Sequence, residues 1–491
     1  MSSKLGYILI IHPEVKESRV FDRMPPLGLA WIAAALRQVG HAIHILDCQV
    51  DDYNVAVLTQ ELKPALTLVG GTSHSRFIAF EIAKKVKQAY PSTIVVYGGP
   101  HASFTAKDTL SHIPDIDIIV NGEGEYTSLE LAQWAESGAM LSDLSKINGI
   151  TYRRNAQIVS TKPRPPIQDL DSLPLPARDL IPIQRYGMKL EYLDLPALNI
   201  ITARGCPICC NFCSASRMFG RSYSMRSPEL VVDEIEGLVR DWGIKGIKIF
   251  DSTFTLNHGH VLGFCDELER RGLVLPWECE VRVGSVDEPL MARMQEAGCY
   301  YIDIGVESGS QEVLEGMGKS ISLEAAEGIL DSSKRLGIRT KVFFTLGHIG
   351  ETYEMGKKTI RFIRHNQKRI TTVGYNPAIR IYPGTLVEEY SWANNLMPTD
   401  FHWSTPFENR DNLQLYRPVD NIPILLQPAM GLTELRRLRN RYIRGRLLSP
   451  RFWLYKLGLL LRHGEIGKYL RLGVKSLFRS RKRSGNSNSG C

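Results

Sequence analysis

No uncharged apolar run in the sequence approaches the roughly 20 residues that a bilayer-spanning helix needs, which excludes a helical membrane span. Nor does an apolar leader open it. Ser2–Lys4 runs straight into the strand-like Tyr7–Ile11, so no secretory signal is expected and a cytoplasmic enzyme is the default. Cysteine is scarce and uneven: Cys48, Cys206, Cys209, Cys210, Cys213, Cys265, Cys279, Cys299 and Cys491, four of them within eight residues. An odd count without a secretory signal argues against a disulfide framework and for metal or redox chemistry at the cluster. No Gly-x-Gly-x-x-Gly follows the first strand, which weakens a nucleotide or flavin reading of the front of the chain. No short-period repeat is present either. Acid is nearly missing from the end: Leu435–Cys491 holds 16 lysines and arginines against Glu465, whereas the preceding chain is mildly acidic and the whole carries +8.

The 491 residues exceed one ordinary domain. Over the first ~150 residues, β-branched runs alternate with amphipathic stretches, which implies parallel βαβ units. The expected strands are Tyr7–Ile11, Ala42–Leu46, Leu66–Val69, Ile94–Tyr97 and Ile116–Val120, with helices at Leu27–Val39, Phe77–Tyr90 and Tyr126–Glu136. Gly70–Gly71, Gly98–Gly99 and Gly122 stand where strands end, the place where an open parallel sheet binds ligands. Residues 148–161 read as a hairpin, and the proline-rich Lys162–Pro182 as an extended linker. From Leu198 the alternation resumes, with strands at Asn199–Ala203, Gly246–Phe250, Trp277–Val281, Tyr300–Val306, Thr340–Leu346 and Gly374–Ile381. Six βα repeats fit a partial barrel rather than a closed eight-fold one.

Cys206, Cys210 and Cys213 fall on the loop after the first of these strands, in Arg-Gly-Cys-Pro-Ile-Cys-Cys-Asn-Phe-Cys. Three thiolates suit an iron–sulfur cubane with one iron left open. Structural zinc is the alternative, and its fourth ligand would be Cys209, which as the neighbour of Cys210 is better placed as a bystander.

Cys-x3-Cys-x2-Cys at this point of a partial barrel resembles the radical S-adenosylmethionine (SAM) superfamily. The resemblance implies a [4Fe-4S] cluster on Cys206, Cys210 and Cys213 whose open iron chelates SAM, with Phe212 near the adenine. Matching stretches close successive strands: Phe250–Thr255, Arg282, the Gly-Val-Glu-Ser-Gly of Gly305–Gly309, Leu346–Glu351 and Tyr382–Thr385. Arg282 suits the SAM carboxylate through a bidentate pair. Asp251, Glu307 and Ser308 could accept from its ammonium or ribose hydroxyls. Ahead of the barrel, Pro25–Ala30, Gly40–Asp47, Tyr97–Ala102 and Val120–Glu125 resemble the cobalamin-binding domain fused to many such enzymes.

The implied architecture is α/β: a doubly wound, Rossmann-like cobalamin-binding domain at 1–147, hairpin and linker at 148–197, a partial (β/α)6 barrel at 198–385, and a helical basic region at 386–491 ending in a disordered tail. Many cobalamin domains carry Asp-x-His-x-x-Gly, whose histidine sits beneath cobalt, and this chain has no such triplet. His12, His74 and His101 are loop histidines, a type that more often packs than ligates, and the lower coordination stays open.

The basic stretch Leu435–Ser480 interleaves Arg and Lys with large apolar residues, fitting either a peripheral membrane contact at the inner face or a helical pair packed on the barrel. No recognised fold accompanies the charge, so no nucleic acid is expected. The implied function is a C-methyltransferase that moves a methyl from SAM through methylcobalamin to an unactivated carbon. Its substrate would be a hydrophobic polycycle such as a hopanoid-type lipid, and its reductant a protein such as flavodoxin or ferredoxin. A tetrapyrrole methyltransferase or oxidative cyclase, like the magnesium-protoporphyrin ester cyclase, is the alternative, and a non-enzymatic cobalamin sensor a third.

Overall fold

A computed structural model describes residues 6–13, 23–138, 141–408, 411, 415, 416 and 421–447. The chain divides into two compact units, Met1–Arg436 and Arg437–Cys491, and both large sheets lie in the first.

The front half runs β1 (Tyr7–His12), α1 (Leu27–Gln38), β2 (Ala42–Asp47), α2 (Val55–Leu62), β3 (Leu66–Gly70), α3 (Arg76–Ala89), β4 (Ile94–Gly98), α4 (Pro100–His112), β5 (Ile118–Val120), α5 (Glu125–Glu136), β6 (Ile150–Arg154) and β7 (Gln157–Ser160). The sheet order is β2-β1-β3-β4-β5-β6-β7, parallel through β5. Ile8–Ile11 are wholly buried, as a central strand covered on both faces demands. The β1–β3 pair is the switch point where the chain reverses its direction of travel across the sheet, and the carboxyl ends there open a crevice. The hairpin expected at 148–161 forms as β6–β7, and it is the antiparallel edge of this sheet, because β6 pairs with β5 from Ile118 to Val120.

The proline-rich segment is also not a free spacer. It holds two short 3-10 turns, with a third directly after it, buries Leu170, Ala177 and Ile181, and donates from the Ala177 amide to Ala30 in α1 at 3.0 Å.

The second half runs β8 (Ala197–Ile200), β9 (Ala203–Arg204), α6 (Ala215–Met218), β10 (Ser224–Met225), α7 (Pro228–Trp242), β11 (Gly246–Ile249), α8 (His258–Arg270), β12 (Trp277–Val281), α9 (Glu288–Glu296), β13 (Cys299–Glu307), α10 (Gln311–Gly316), α11 (Leu323–Leu336), β14 (Arg339–Thr345), α12 (Tyr353–His365), β15 (Thr372–Asn376), α13 (Leu386–Ala393) and α14 (Leu432–Leu447). Six parallel strands order as β15-β14-β13-β12-β11-β8, an open partial barrel. Local chemistry places the helices. Ser227 caps α7 with Pro228 at its first position, and Ser322 and Gly337 bracket α11.

Several sequence expectations move. The first barrel strand is Ala197–Ile200, not Asn199–Ala203, because Thr202 and Ala203 turn to donate their amides to Asp251. The sixth is Thr372–Asn376, not Gly374–Ile381. Pro377 has no amide to continue the ladder, and Ile381 donates instead to Pro423 at 2.8 Å. Helices α2 and α4 were not anticipated, one being only eight residues and the other polar and kinked at Thr105. Of the basic C-terminal region, α13 and α14 are helical, while 448–491, with the disordered tail expected there, lie outside the described residues. No described helix is long and apolar enough to cross a membrane.

Candidate active site

The carboxyl ends of both sheets meet around two cavities. The first, of about 360 Å³, lies over the front sheet, walled by His12 from β1, Gly71 and Thr72 after β3, Gly99 before α4 and Gly122 after β5. Its far wall comes from the barrel: Arg204, Phe250 and Ser252. Close backbone approach builds the near wall. Gly99 has φ +102°, and a Cβ there would stand 2.6 Å from the Gly71 carbonyl oxygen, so only glycine fits. Gly28, also on this wall, has nothing within 4 Å of its missing Cβ and leaves the cavity open. A glycine-lined, largely apolar crevice at a switch point is the right receptacle for a large planar cofactor such as a corrin.

The second cavity, of about 350 Å³, sits at the barrel rim and gathers Cys206, Cys210 and Cys213 with Phe212, Arg282 and Glu307. Ser252 belongs to the walls of both cavities. Three thiols converging on one cavity are the donor set that an iron–sulfur cubane takes. Cys209 lies off that wall, its sulfur 4.0 Å from the Pro207 carbonyl oxygen.

The cysteine loop is tied down at both ends. At its start Asp251 accepts from the Thr202 and Ala203 amides at 2.7 and 3.1 Å and from the Thr202 hydroxyl at 2.5 Å. Burial pushes this carboxyl up to about 6 against the pull of those bonds. Arg204 then pairs with Glu123 and Glu125 of the front domain, both at 2.7 Å, and lies over the Trp31 ring at 4.8 Å. Gly205 has φ +90° and passes so close to the Ser222 carbonyl that a Cβ would lie 2.2 Å from its oxygen. At its far end Asn211 donates from its amide to Met317 and from its side chain to Gly316, at 3.0 and 3.2 Å.

Electrostatics inside the cavity are set by burial. It pushes the Cys210 thiol up to about 11 and raises Cys213, while the Lys319 ammonium pulls both down. Cys210 and Cys213 therefore hold their protons at neutral pH, and metal binding must release them. Glu307, at a bulge in β13 with φ +71°, pairs with Lys319 at 3.0 Å. Gly305 makes room, since a Cβ there would meet Lys319 Nζ at 2.8 Å.

Of the residues singled out by sequence, Phe212, Arg282 and Glu307 line the cavity, whereas Asp251 and Ser308 do not. Asp251 is engaged by the Thr202 turn. Ser308 is buried against Thr359 and the Ser310 amide at 3.2 and 3.1 Å. Arg282 donates to the carbonyls of Val283, Lys319 and Ser320, and its buried Nε has no partner among the described residues. Sequence reading missed Lys319, Glu280 and Asp303, all on the cavity wall. Burial raises the Glu280 carboxyl to about 8, helped by Asp303 and Asp251, and raises Asp303 to about 6. Acids at inward positions of consecutive strands were the available signal. Of the loop histidines, His74 bonds Tyr382 and His101 bonds Ser73, both at 3.0 Å, and only His12 lines the first cavity.

The radical SAM superfamily model matches residues 200–363, and the B12 binding domain model matches residues 18–132. An uncharacterised methyltransferase of Pyrococcus horikoshii is 34% identical over 407 residues, covering 81% of this chain and 85% of that protein. The anaerobic magnesium-protoporphyrin IX monomethyl ester cyclase of Rubrivivax gelatinosus is 29% identical over 368 residues, 73% of this chain and 65% of its own. The hopanoid C-3 methylase of Methylococcus capsulatus is 29% identical over 348 residues, 68% of this chain and 64% of its own. Among solved structures, a radical SAM methyltransferase from Kitasatospora setae shares the fold at TM-score 0.71 and 19% identity, covering 91% of this chain and 90% of that one.

Proposed function

The chain belongs to the radical SAM superfamily, in the branch carrying a B12 binding domain, and from that premise we propose that it methylates an unactivated carbon of a hydrophobic polycyclic substrate, with a hopanoid-type lipid as the first candidate. Its cofactors are a [4Fe-4S] cluster, SAM and cobalamin. When bound, the cluster with SAM supplies a radical that removes a substrate hydrogen, and cobalamin supplies the methyl group.

The chain's own residues divide the work. Cys206, Cys210 and Cys213 hold the cluster, and Phe212, Arg282 and Glu307 border the space beside it that SAM would take. Lys319 balances the charge of Glu307 and the thiolates. The glycine-lined crevice holds the corrin, and the Arg204 ion pairs keep cluster loop and crevice in register. Asp251 and Ser308 serve by fixing strand ends rather than by touching SAM.

The observation that carries the reading is that the two cavities are immediate neighbours, with Ser252 on the wall of each. Phe250 and Phe219 on the first cavity's barrel side give that space an apolar lining. Anaerobic incubation of the reconstituted protein with SAM, hydroxocobalamin, a flavodoxin-type reductant and a hopanoid tests it. The expected products are 5′-deoxyadenosine, S-adenosylhomocysteine and a hopanoid heavier by one methyl. Unchanged hopanoid under conditions that yield both nucleosides would reject the substrate.

The relative acting on a magnesium-protoporphyrin ester is matched over a longer stretch than the hopanoid methylase, which favours an oxidative cyclase of tetrapyrroles as the second reading. That activity would give a cyclised product with no added methyl and no S-adenosylhomocysteine.

A further inference from the structure

We propose that Asp108, His112 and His402 form a zinc site that clamps the chain beyond the barrel onto the front domain. The site lies outside the two cavities described above, and it stands whichever substrate they take.

Asp108 and His112 are one turn apart on α4, so their side chains share a face of that helix. His402 comes from the segment after α13 and meets that face, its ring centroid 4.6 Å from that of His112. One ligand atom from each of the three side chains lies within 4.8 Å of the other two. The carboxylate is held from behind. Asp108 Oδ2 accepts from the Trp403 and Ser404 amides at 2.6 and 3.3 Å.

Its other oxygen is the unsatisfied atom. Oδ1 is shielded from water and accepts no hydrogen bond among the described residues, although His112 Nδ1 stands 2.7 Å and His402 Nδ1 4.0 Å away. The His112 bond runs instead to the Asp108 carbonyl oxygen at 2.8 Å. A shielded carboxylate oxygen without a donor is unfavourable, and a cation between it and the two imidazoles removes that cost. Imidazole nitrogens select zinc over magnesium or calcium, which take oxygen. Zinc bonds of about 2.0–2.1 Å at tetrahedral angles put neighbouring donors about 3.3 Å apart, between the 2.7 and 4.0 Å separations present. His402 is exposed, which leaves the fourth position to water and makes the hold reversible.

What the ion would fasten is the docking point of the post-barrel chain. Arg76 of α3 donates from Nε to the Trp403 carbonyl at 2.9 Å, and the Trp403 ring stands edge-on to His101 with centroids 5.7 Å apart. Asp108 and Trp403 also line a third cavity, of about 780 Å³, which shares Gly122 and Met218 with the first.

The test uses the full chain without an affinity tag, its cluster reconstituted, dialysed to equilibrium against Zn2+. Zinc and iron are counted by mass spectrometry, and the zinc surroundings are read by K-edge X-ray absorption. The expected result is about one zinc per chain in a nitrogen and oxygen shell at about 2.0–2.1 Å, with two imidazoles and no sulfur at about 2.3 Å. His112→Ala and His402→Ala should each weaken zinc binding at least about tenfold and leave the iron content unchanged. Zinc should raise the melting temperature of the wild type and not that of His402→Ala. The absorption spectrum needs no variant and decides the ligands even if a variant fails to fold. No bound zinc, or a sulfur shell that puts the ion on cysteines, would overturn the site. Zinc held equally by both variants would be an adventitious ion only, with the same consequence. Bound zinc without a rise in melting temperature would overturn the clamp.

Discussion

Single side chains in this protein are held away from their ordinary chemistry by burial. Glu280 faces the cluster cavity with its side chain accessible, and desolvation by the packed protein around that cavity, with Asp303 and Asp251 adding to the effect, raises its carboxyl to about 8. A carboxyl whose folded value lies above its unfolded one stabilises the fold most at low pH and loses that contribution as pH rises through the folded value. The wild-type melting temperature should therefore fall between about pH 5 and 8 more steeply than that of Glu280→Gln. Parallel melting curves for the two proteins across that range would contradict this. Arg204 is the opposite case, a buried cation shared by two buried acids. Arg204→Ala leaves Glu123 and Glu125 unpaired and should destabilise by about 3–5 kcal/mol, read from denaturant unfolding. A loss under about 1 kcal/mol would mean that water replaces the guanidinium there.

At the scale of elements, the strand ends decide what the site contains. The cysteine spacing and the Gly-Val-Glu-Ser-Gly stretch were readable because each sits at the carboxyl end of a recognisable strand. Asp251 and Ser308 stand where strand ends reach toward a cofactor, but both turn into the loops that hold them, and a period of two cannot show a loop turning back. Lys319 escaped because it lies in the turn after α10, where no periodicity operates, and Glu280 and Asp303 because charged residues in a strand read as solvent-facing. The prolines of the linker foretold extended chain but not that Ala177 would dock on α1.

The crevice glycines offer a test at this scale. Gly28 lies in α1 with nothing near its missing Cβ, so Gly28→Phe should fold and yet fill the cavity. Cobalamin retention should fall at least about tenfold, equivalent to about 1.4 kcal/mol of binding. Undiminished cobalamin binding in a folded Gly28→Phe would place the corrin elsewhere.

Over the whole molecule, the front sheet and the barrel turn their carboxyl ends toward each other, and the two cavities they enclose share a wall at Ser252. Doubly wound sheet and partial barrel were both legible from alternating patterns, whereas their junction was not, since it depends on pairs such as Arg204 with Glu125 and Asp47 with Tyr186 that are far apart in the chain. Metal and corrin should therefore be lost independently. The most direct measurement is the iron, sulfide and cobalt content of anaerobically purified, reconstituted protein, for the wild type and for Cys206→Ala/Cys210→Ala/Cys213→Ala. The wild type should hold about four irons and one corrin per chain, and the triple variant should lose the iron and its ~400 nm absorbance while keeping the corrin. Iron unchanged in the triple variant, or a wild type without corrin, would contradict the assignment of the two cavities.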